Sequence, residues 1–219
     1  MRNIIRTLLA LAALACATTV AQSADLAVSR YSMHNGDGQA HGGSYNYWDG
    51  TYDGRGRTSV DGAWLHGGTG ALTDGVIATD PWYAVSSYSG TGPYVGWIDT
   101  SPTITFHFAS SVTIDSITLY VDNSNDGGVT APSGVVVDGR TFENPSWDSD
   151  APSNTITLNG LDIVGDKVTL QLLDPTRWIF VSEIQFDGML TSAVPEPSGL
   201  GLMLCGLALA GWSARRRRA

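Results

Sequence analysis

Thr103-Ile104-Thr105-Phe106-His107-Phe108 and, after three small residues, Val112-Thr113-Ile114-Asp115-Ser116-Ile117-Thr118-Leu119-Tyr120-Val121 carry the pattern that decides the fold class. In the first segment Ile104, Phe106 and Phe108 alternate with Thr105 and His107, the period of two expected of a strand with one face in a core. The second segment places Val112 and Ile114 on one side, then Ile117, Leu119 and Val121. Asp115-Ser116 shifts the phase, as a β-bulge does while keeping the apolar side turned inward.

Outward from there, apolar stretches bounded by Gly, Pro, Asn and Asp predict strands over 26–33, 134–142, 155–158, 167–173 and 178–186, with burial on both faces from 179 to 186. No amphipathic helical pattern lies between the later strands. Many short strands with turn-rich joints argue for an all-β, antiparallel β-sandwich rather than a parallel α/β sheet. From 35 to 75 the chain is dominated by Gly, Asp, Ser, Tyr and Trp, a composition of turns and short strands. The turns Asn35-Gly36, Asp49-Gly50, Asp53-Gly54 and Asp61-Gly62 follow no fixed period, which argues against a calcium-binding repeat array. Tyr45, Tyr47, Trp48, Tyr52 and Trp64 lie between these turns, and some of the rings must be core.

Both ends of the chain read as targeting segments. Arg2 and Arg6 precede an apolar run from Leu8 to Val20 and a small polar patch before Asp25, the layout of a secretory signal peptide over residues 1–24. Ala13 stands where a lipoprotein signal would carry a bulky aliphatic residue three positions before Cys16, which argues against lipidation. Residues 191–219 hold Pro195-Glu196-Pro197, an uncharged apolar run over 198–214, and Arg215, Arg216, Arg217 and Arg218. The run is at the short end of a bilayer span, and the arginines favour keeping that end in the cytoplasm. Hydropathy alone reads this as a C-terminal transmembrane anchor. The three parts in this order closely resemble the PEP-CTERM sorting signal of Gram-negative bacteria, whose tails are removed by an exosortase, a membrane cysteine protease-transpeptidase. The resemblance implies a protein handled by the secretion machinery, held at the inner membrane until processing, and then ending near Pro195 at the cell surface.

The remaining stretch, 25–190, is long enough for one domain with a substantial core. The two targeting segments take six of the twelve Lys and Arg and one of the twenty-one Asp and Glu. The exported body thus has six basic and twenty acidic residues, a formal charge of −14. Such a surface repels phosphate backbones and excludes nucleic acid as a partner, whereas acidic clusters suit calcium. Cys16 and Cys205 both lie in targeting segments, so no disulfide supports the exported domain. His34, His41, His66 and His107 have no metal-ligand spacing, and the body holds no Gly-x-Ser-x-Gly elbow, His-Glu-x-x-His helix or phosphate loop.

Asp74-Gly75, Thr79 five residues after the Asp, Trp82, then Gly96-Trp97 before a strand ending in Phe108 resemble the opening of discoidin-like domains, also called factor 5/8 type C or galactose-binding-like. Trp178 to Gly188, with Ser182-Glu183-Ile184, resembles the closing strand of that fold, so the likeness spans about residues 70–188. It implies a structural calcium held by backbone carbonyls of the turn and by Asp74, Thr79 and Glu183. Val76 stands where Asn is more usual, which a carbonyl ligand tolerates. Without the resemblance, Asp74 reads as a turn residue and Glu183 as an edge position facing water. The resemblance also implies a non-enzymatic role in binding or organising extracellular polysaccharide. Aromatic rings stack on sugar C–H faces and polar groups read hydroxyls, so the candidates are Trp48, Tyr52, Arg55, His66, Trp147 and Arg177. The alternative is a secreted glycan-active hydrolase or lyase, since a sandwich does not choose between them. Asp122-Asn123-Ser124-Asn125-Asp126-Gly127-Gly128 lacks the closing Glu of an EF-hand loop and reads as a solvated connection.

Overall fold

A computed structural model of the chain describes residues 23–38, 45–85, 92–143, 154–173 and 176–191. Most of the expected signal peptide, Trp147, Pro195-Glu196-Pro197, the 198–214 segment and Arg215 to Arg218 lie outside the described residues. Contacts divide the chain into a unit ending at Met189 and a second, Leu190–Ala219, of which only Leu190 and Thr191 are described. Among the described residues no helix is long and apolar enough to cross a membrane.

The described elements are β1 (Ala24–Asp25), β2 (Val28–His34), β3 (Trp64–Gly68), α1 (Trp82–Val85), β4 (Val95–Trp97), β5 (Thr103–Val121), β6 (Gly134–Val137), β7 (Arg140–Glu143), β8 (Asn154–Leu173) and β9 (Ile179–Leu190). They form an antiparallel β-sandwich, hydrogen-bonded in the order β1-β9-β5-β8-β6-β7, with β2 beside β5, β3 beside β2 and β4 beside β9. The two stretches of 103–121 make one strand of 19 residues, not two. At about 3.3 Å per residue it would run about 60 Å if straight, more than the roughly 40 Å diameter of a domain this size, so it must bend. Register breaks against β8 lie between His107 and Val112 and between Ile114 and Ser116, the second at the bulge the sequence predicts.

On either side of these breaks the buried residues, Ile104, Phe106 and Phe108, then Val112, Ile114, Ile117, Leu119 and Val121, all enter one core. The N-terminal half of β5 lies between β2 and the end of β8, and its C-terminal half pairs with the start of β8. The sandwich is therefore this long pair folded over its own apolar face.

Two other expectations are corrected. The segments 155–158 and 167–173 belong to the single strand β8, and 134–142 is a hairpin. Asp138 and Gly139 form its two-residue turn with φ of 45° and 84°, a conformation Asp-Gly adopts readily and one that matches strand twist.

A second, aromatic core gathers Tyr47, Tyr94, Trp178 and Phe180, with Tyr45 and Trp82 packed against it. Phe180 is its hub, with ring centroids 4.1 Å from Tyr47, 5.3 Å from Trp178 and 6.0 Å from Tyr94. This explains why β9 is buried on both faces: Ile179 and Val181 enter the main core while Phe180 enters the aromatic one. Gly96 crosses directly over Phe180, and a Cβ there would stand 2.3 Å from the ring.

Candidate functional site

The candidate site is built where β9 lacks a neighbouring strand. β4 pairs with Ile179 to Val181, and β1 pairs with Asp187 and Gly188. Between them the loop 72–78 takes the place of a strand. Ile184 N–H donates to Leu72 O at 2.8 Å, Gly75 N–H to Glu183 Oε2 at 3.1 Å, and Ala78 N–H to Ser182 Oγ at 3.2 Å. Asp74 shapes the turn itself by accepting Val76 N–H at 2.9 Å, and Gly75 supplies the left-handed φ of 81°. Leu72, fully buried, pins the loop to the core.

Glu183 is only 4% exposed, so the reading of an edge position facing water is corrected: the loop covers it. Burial is the main reason its carboxyl is pushed up to about 7, and the neighbouring charge of Asp74 adds to the shift, against hydrogen bonds from the Gly75 and Asp74 backbone. Two carboxylates 109 positions apart in sequence therefore face one site. Thr79 is exposed on the same loop, its hydroxyl donating to Asp80 Oδ2 at 3.0 Å, which leaves its lone pairs free to accept.

A cavity of about 310 Å³ beside this turn is lined by Asp25, Thr73, Asp74, Glu183 and Gln185 among others. Thr73 Oγ1 is buried there without a hydrogen-bond partner, an acceptor that sequence reasoning missed. Two carboxylates, an unpaired hydroxyl and a tight turn rich in carbonyls form a donor set that fits a hard, oxygen-seeking cation such as calcium. Among the described residues no group of three or more His, Cys, Asp or Glu forms a metal cluster, so such an ion would draw much of its coordination from carbonyls and hydroxyls.

Asp49, read from the sequence only as part of an Asp-Gly turn, anchors the loop from behind. It accepts the Tyr31 hydroxyl and Ala71 N–H, the latter at 3.0 Å, and burial raises its carboxyl above the usual range. Its partners lie 18 and 22 residues away, so no local pattern reveals the role.

The carbohydrate candidates do not form one platform. Tyr52 is corrected: it is buried, its hydroxyl donating to Tyr31 O at 2.5 Å and accepting Gly68 N–H at 2.9 Å, so it is a core ring tying β2 to β3. Trp48 is half-buried, with Nε1 donating to Asp61 Oδ1 at 2.6 Å. Arg55 and His66 are brought together by a bridge in which each donates its N–H to the other's carbonyl at 2.9 Å. Arg177 is exposed just before Trp178, whose bridge to Val129 sets it beside the 122–130 connection. That connection is not simply solvated. Asp122 is wholly buried, accepting Trp82 N–H at 2.6 Å and Ser124 N–H at 2.7 Å, so it ties α1 to the end of β5.

Residues 27–188, from β2 to the end of the β9 core, match the family described as discoidin domain-containing receptor 1/2, DS-like domain. The chain belongs to that family. The discoidin-like domain thus begins well before residue 70, and β2 and β3 are part of its sheet. Residues 193–218 match the PEP-CTERM protein-sorting motif. No curated protein matches the chain. Among solved structures, a truncated AlyQ with CBM32 and alginate lyase domains is 10% identical, over 80% of this chain and 35% of that one, with a TM-score of 0.44. The present chain thus spans about a third of the length of that truncated AlyQ. The C-terminal domain of a chitobiase from Bacteroides fragilis is 11% identical over 77% of this chain and 100% of its own, with a TM-score of 0.44. A GH31 CBM32-2 module bound to GalNAc is 21% identical over 53% and 84%, with a TM-score of 0.33.

Proposed function

We propose that the protein is exported, sorted through its PEP-CTERM tail by an exosortase, and acts at the cell surface or in the extracellular matrix as a non-enzymatic carbohydrate-binding or structural protein. Before processing, the 198–214 segment holds it at the inner membrane; afterwards its partner is extracellular polysaccharide. A calcium ion held by Asp74, Glu183, Thr79 and turn carbonyls would stabilise the 70–79 loop and the edge of β9. The observation that carries this reading is the Asp74-Gly75 turn docked on a buried Glu183, in a domain of the discoidin family followed by the sorting motif.

The ion would do no chemistry on a ligand. It would neutralise Glu183, whose burial and repulsion by the neighbouring Asp74 otherwise oppose the loop's position. Thermal melting of the wild type and of Glu183→Gln, each in calcium and in a chelator, tests this. The wild type should melt higher in calcium, Glu183→Gln should lose most of that gain, and in chelator the two should melt alike. Equal losses in both media would remove Glu183 from the ligand set. A glycan array run in the same two media tests the binding role, and saccharide release abolished by one carboxylate substitution would replace that role with catalysis.

A further inference from the structure

Away from the loops, the outer face of one half of the sandwich differs in chemistry from the rest of the domain. Tyr31, Phe106 and Val168 point into the core, so their neighbours Arg30, His107 and Lys167 point out. Arg30 is in register with His107, and His107 with Lys167, which sets the three in one row across β2, β5 and β8. With strands about 4.8 Å apart the row is about 10 Å long.

The next row outward holds His66, Ser32, Thr105 and Thr169 in register, with Arg55 bridged to His66 and the two Thr hydroxyls 3.1 Å apart. A third row begins with Trp64, 51% exposed, whose ring meets that of His34 edge-on at 5.1 Å.

β2, β3 and the stretches 103–108 and 167–173 contain no Asp or Glu, in a domain that has twenty. They and the bridged Arg55 hold three of its six cations and three of the chain's four histidines. At the margin, Asp53 and Asp138 each accept a backbone N–H, from Thr69 and Thr169. Asp166 directly precedes Lys167. His107 is held below the ordinary imidazole range first by partial burial and then by Arg30, with Lys167 acting in the same direction and Asp166 opposing.

We propose that this face docks a carboxylate-bearing polysaccharide of the uronate class, with Arg30 and Lys167 pairing its carboxylates and the Ser, Thr and His row meeting its hydroxyls. Charge complementarity selects a polyanion: an isolated cationic face on a strongly acidic domain. Three cations on a body of charge −14 are too few for a phosphodiester backbone, whose binding scales with the number of phosphates neutralised. The Arg fork fits carboxylates, and mixed hydroxyl and imidazole groups suit a hydroxyl-rich chain, with Trp64 as an exposed stacking surface at the edge. The proposal rests on the carbohydrate-binding reading for its ligand class, but not on the calcium loop.

Affinity electrophoresis of the full chain through gels containing polygalacturonate, with neutral dextran as the control polymer, tests it. Polygalacturonate should retard the wild type, and Arg30→Gln combined with Lys167→Gln should weaken that binding about tenfold or more. Arg140→Gln removes a cation that stands on β7, away from the face, and should leave binding nearly intact. Glu183→Gln should also leave it intact, even where it abolishes calcium-dependent binding of another glycan, so the two readings fail separately. Unchanged binding by the Arg30/Lys167 variant, or equal weakening by Arg140→Gln, overturns the proposal. Equal affinity for duplex DNA or phosphatidylglycerol vesicles also overturns it, by reducing the face to a general polyanion patch.

Discussion

The loop end around β9 and the outer face of β2, β5 and β8 use charge in opposite ways. At the loop end carboxylates are buried, and backbone N–H groups hold them: Glu183 takes Gly75, Asp49 takes Ala71, and Asp122 takes Trp82 and Ser124. On the sheet face Arg30 and Lys167 stand on strands whose backbone groups are paired within the sheet. The contrast follows from what each backbone lacks. A loop has unpaired N–H groups that a carboxylate can satisfy, so its acids become structural ties. A strand in a sheet has none to spare, so its charged side chains are free for a ligand. The buried acids Asp49, Asp122 and Glu183 are therefore expected to fail in stability assays, and Arg30 and Lys167 in binding assays.

Removing what lies beneath the loop end should produce the largest effect. Phe180→Ala deletes the ring on which Tyr47, Tyr94 and Trp178 converge, and a buried Phe truncated to Ala costs about 3–5 kcal/mol. Chemical denaturation should show that loss, and hydrogen exchange should show it first at residues 72–78 and 92–98 and last in β5. Exchange that rises uniformly would mean that the loop end and the sheet are one cooperative unit, and the comparison would lose its basis.

A smaller effect is expected from Asp122→Asn. Burial raises the Asp122 carboxyl in the folded protein above its ordinary value, so folding favours the protonated form. Its contribution is fully present below the ordinary carboxylate range and is lost as pH rises through the folded value. The Asn variant should flatten the decline in stability over that window, measured as denaturation midpoint against pH. An unchanged slope would mean that the bonds from Trp82 and Ser124 fully compensate burial.

The same contrast explains what was legible in the sequence. The alternation over 103–108 and the phase shift at Asp115-Ser116 are local consequences of pleating, and the structure contains both. Whether 103–108 and 112–121 are one strand or two was not legible, because Ala109-Ser110-Ser111 looks like a turn until β8 pairs on both sides of it. The approach of Asp74 to Glu183 was legible through the family pattern alone. Tyr52 was misread because an aromatic among turns looks exposed, and its two hydroxyl partners, Tyr31 and Gly68, lie 21 and 16 residues away. The cationic row was hidden for a similar reason: Arg30, His107 and Lys167 are neighbours only across three strands.

The smallest expected effect concerns that row and separates its charge from its packing. Arg30 is exposed and should contribute little to stability, so Arg30→Gln should shift the melting temperature by no more than about two degrees. His107 should still sense the change. Because folding depresses the His107 pKa, the domain gains stability as pH rises past the folded value, holds it above 6.5, and loses it as pH falls again. Removing Arg30 takes away the second cause of that depression and leaves burial, the first, in place. The His107 midpoint, followed by NMR of its ring protons, should therefore rise part of the way towards 6.5 in Arg30→Gln, and less in Lys167→Gln. A midpoint that does not move would mean that burial alone sets it and that the charges of the row do not act on one another. Arg30 and Lys167 would then be separate charges rather than one surface.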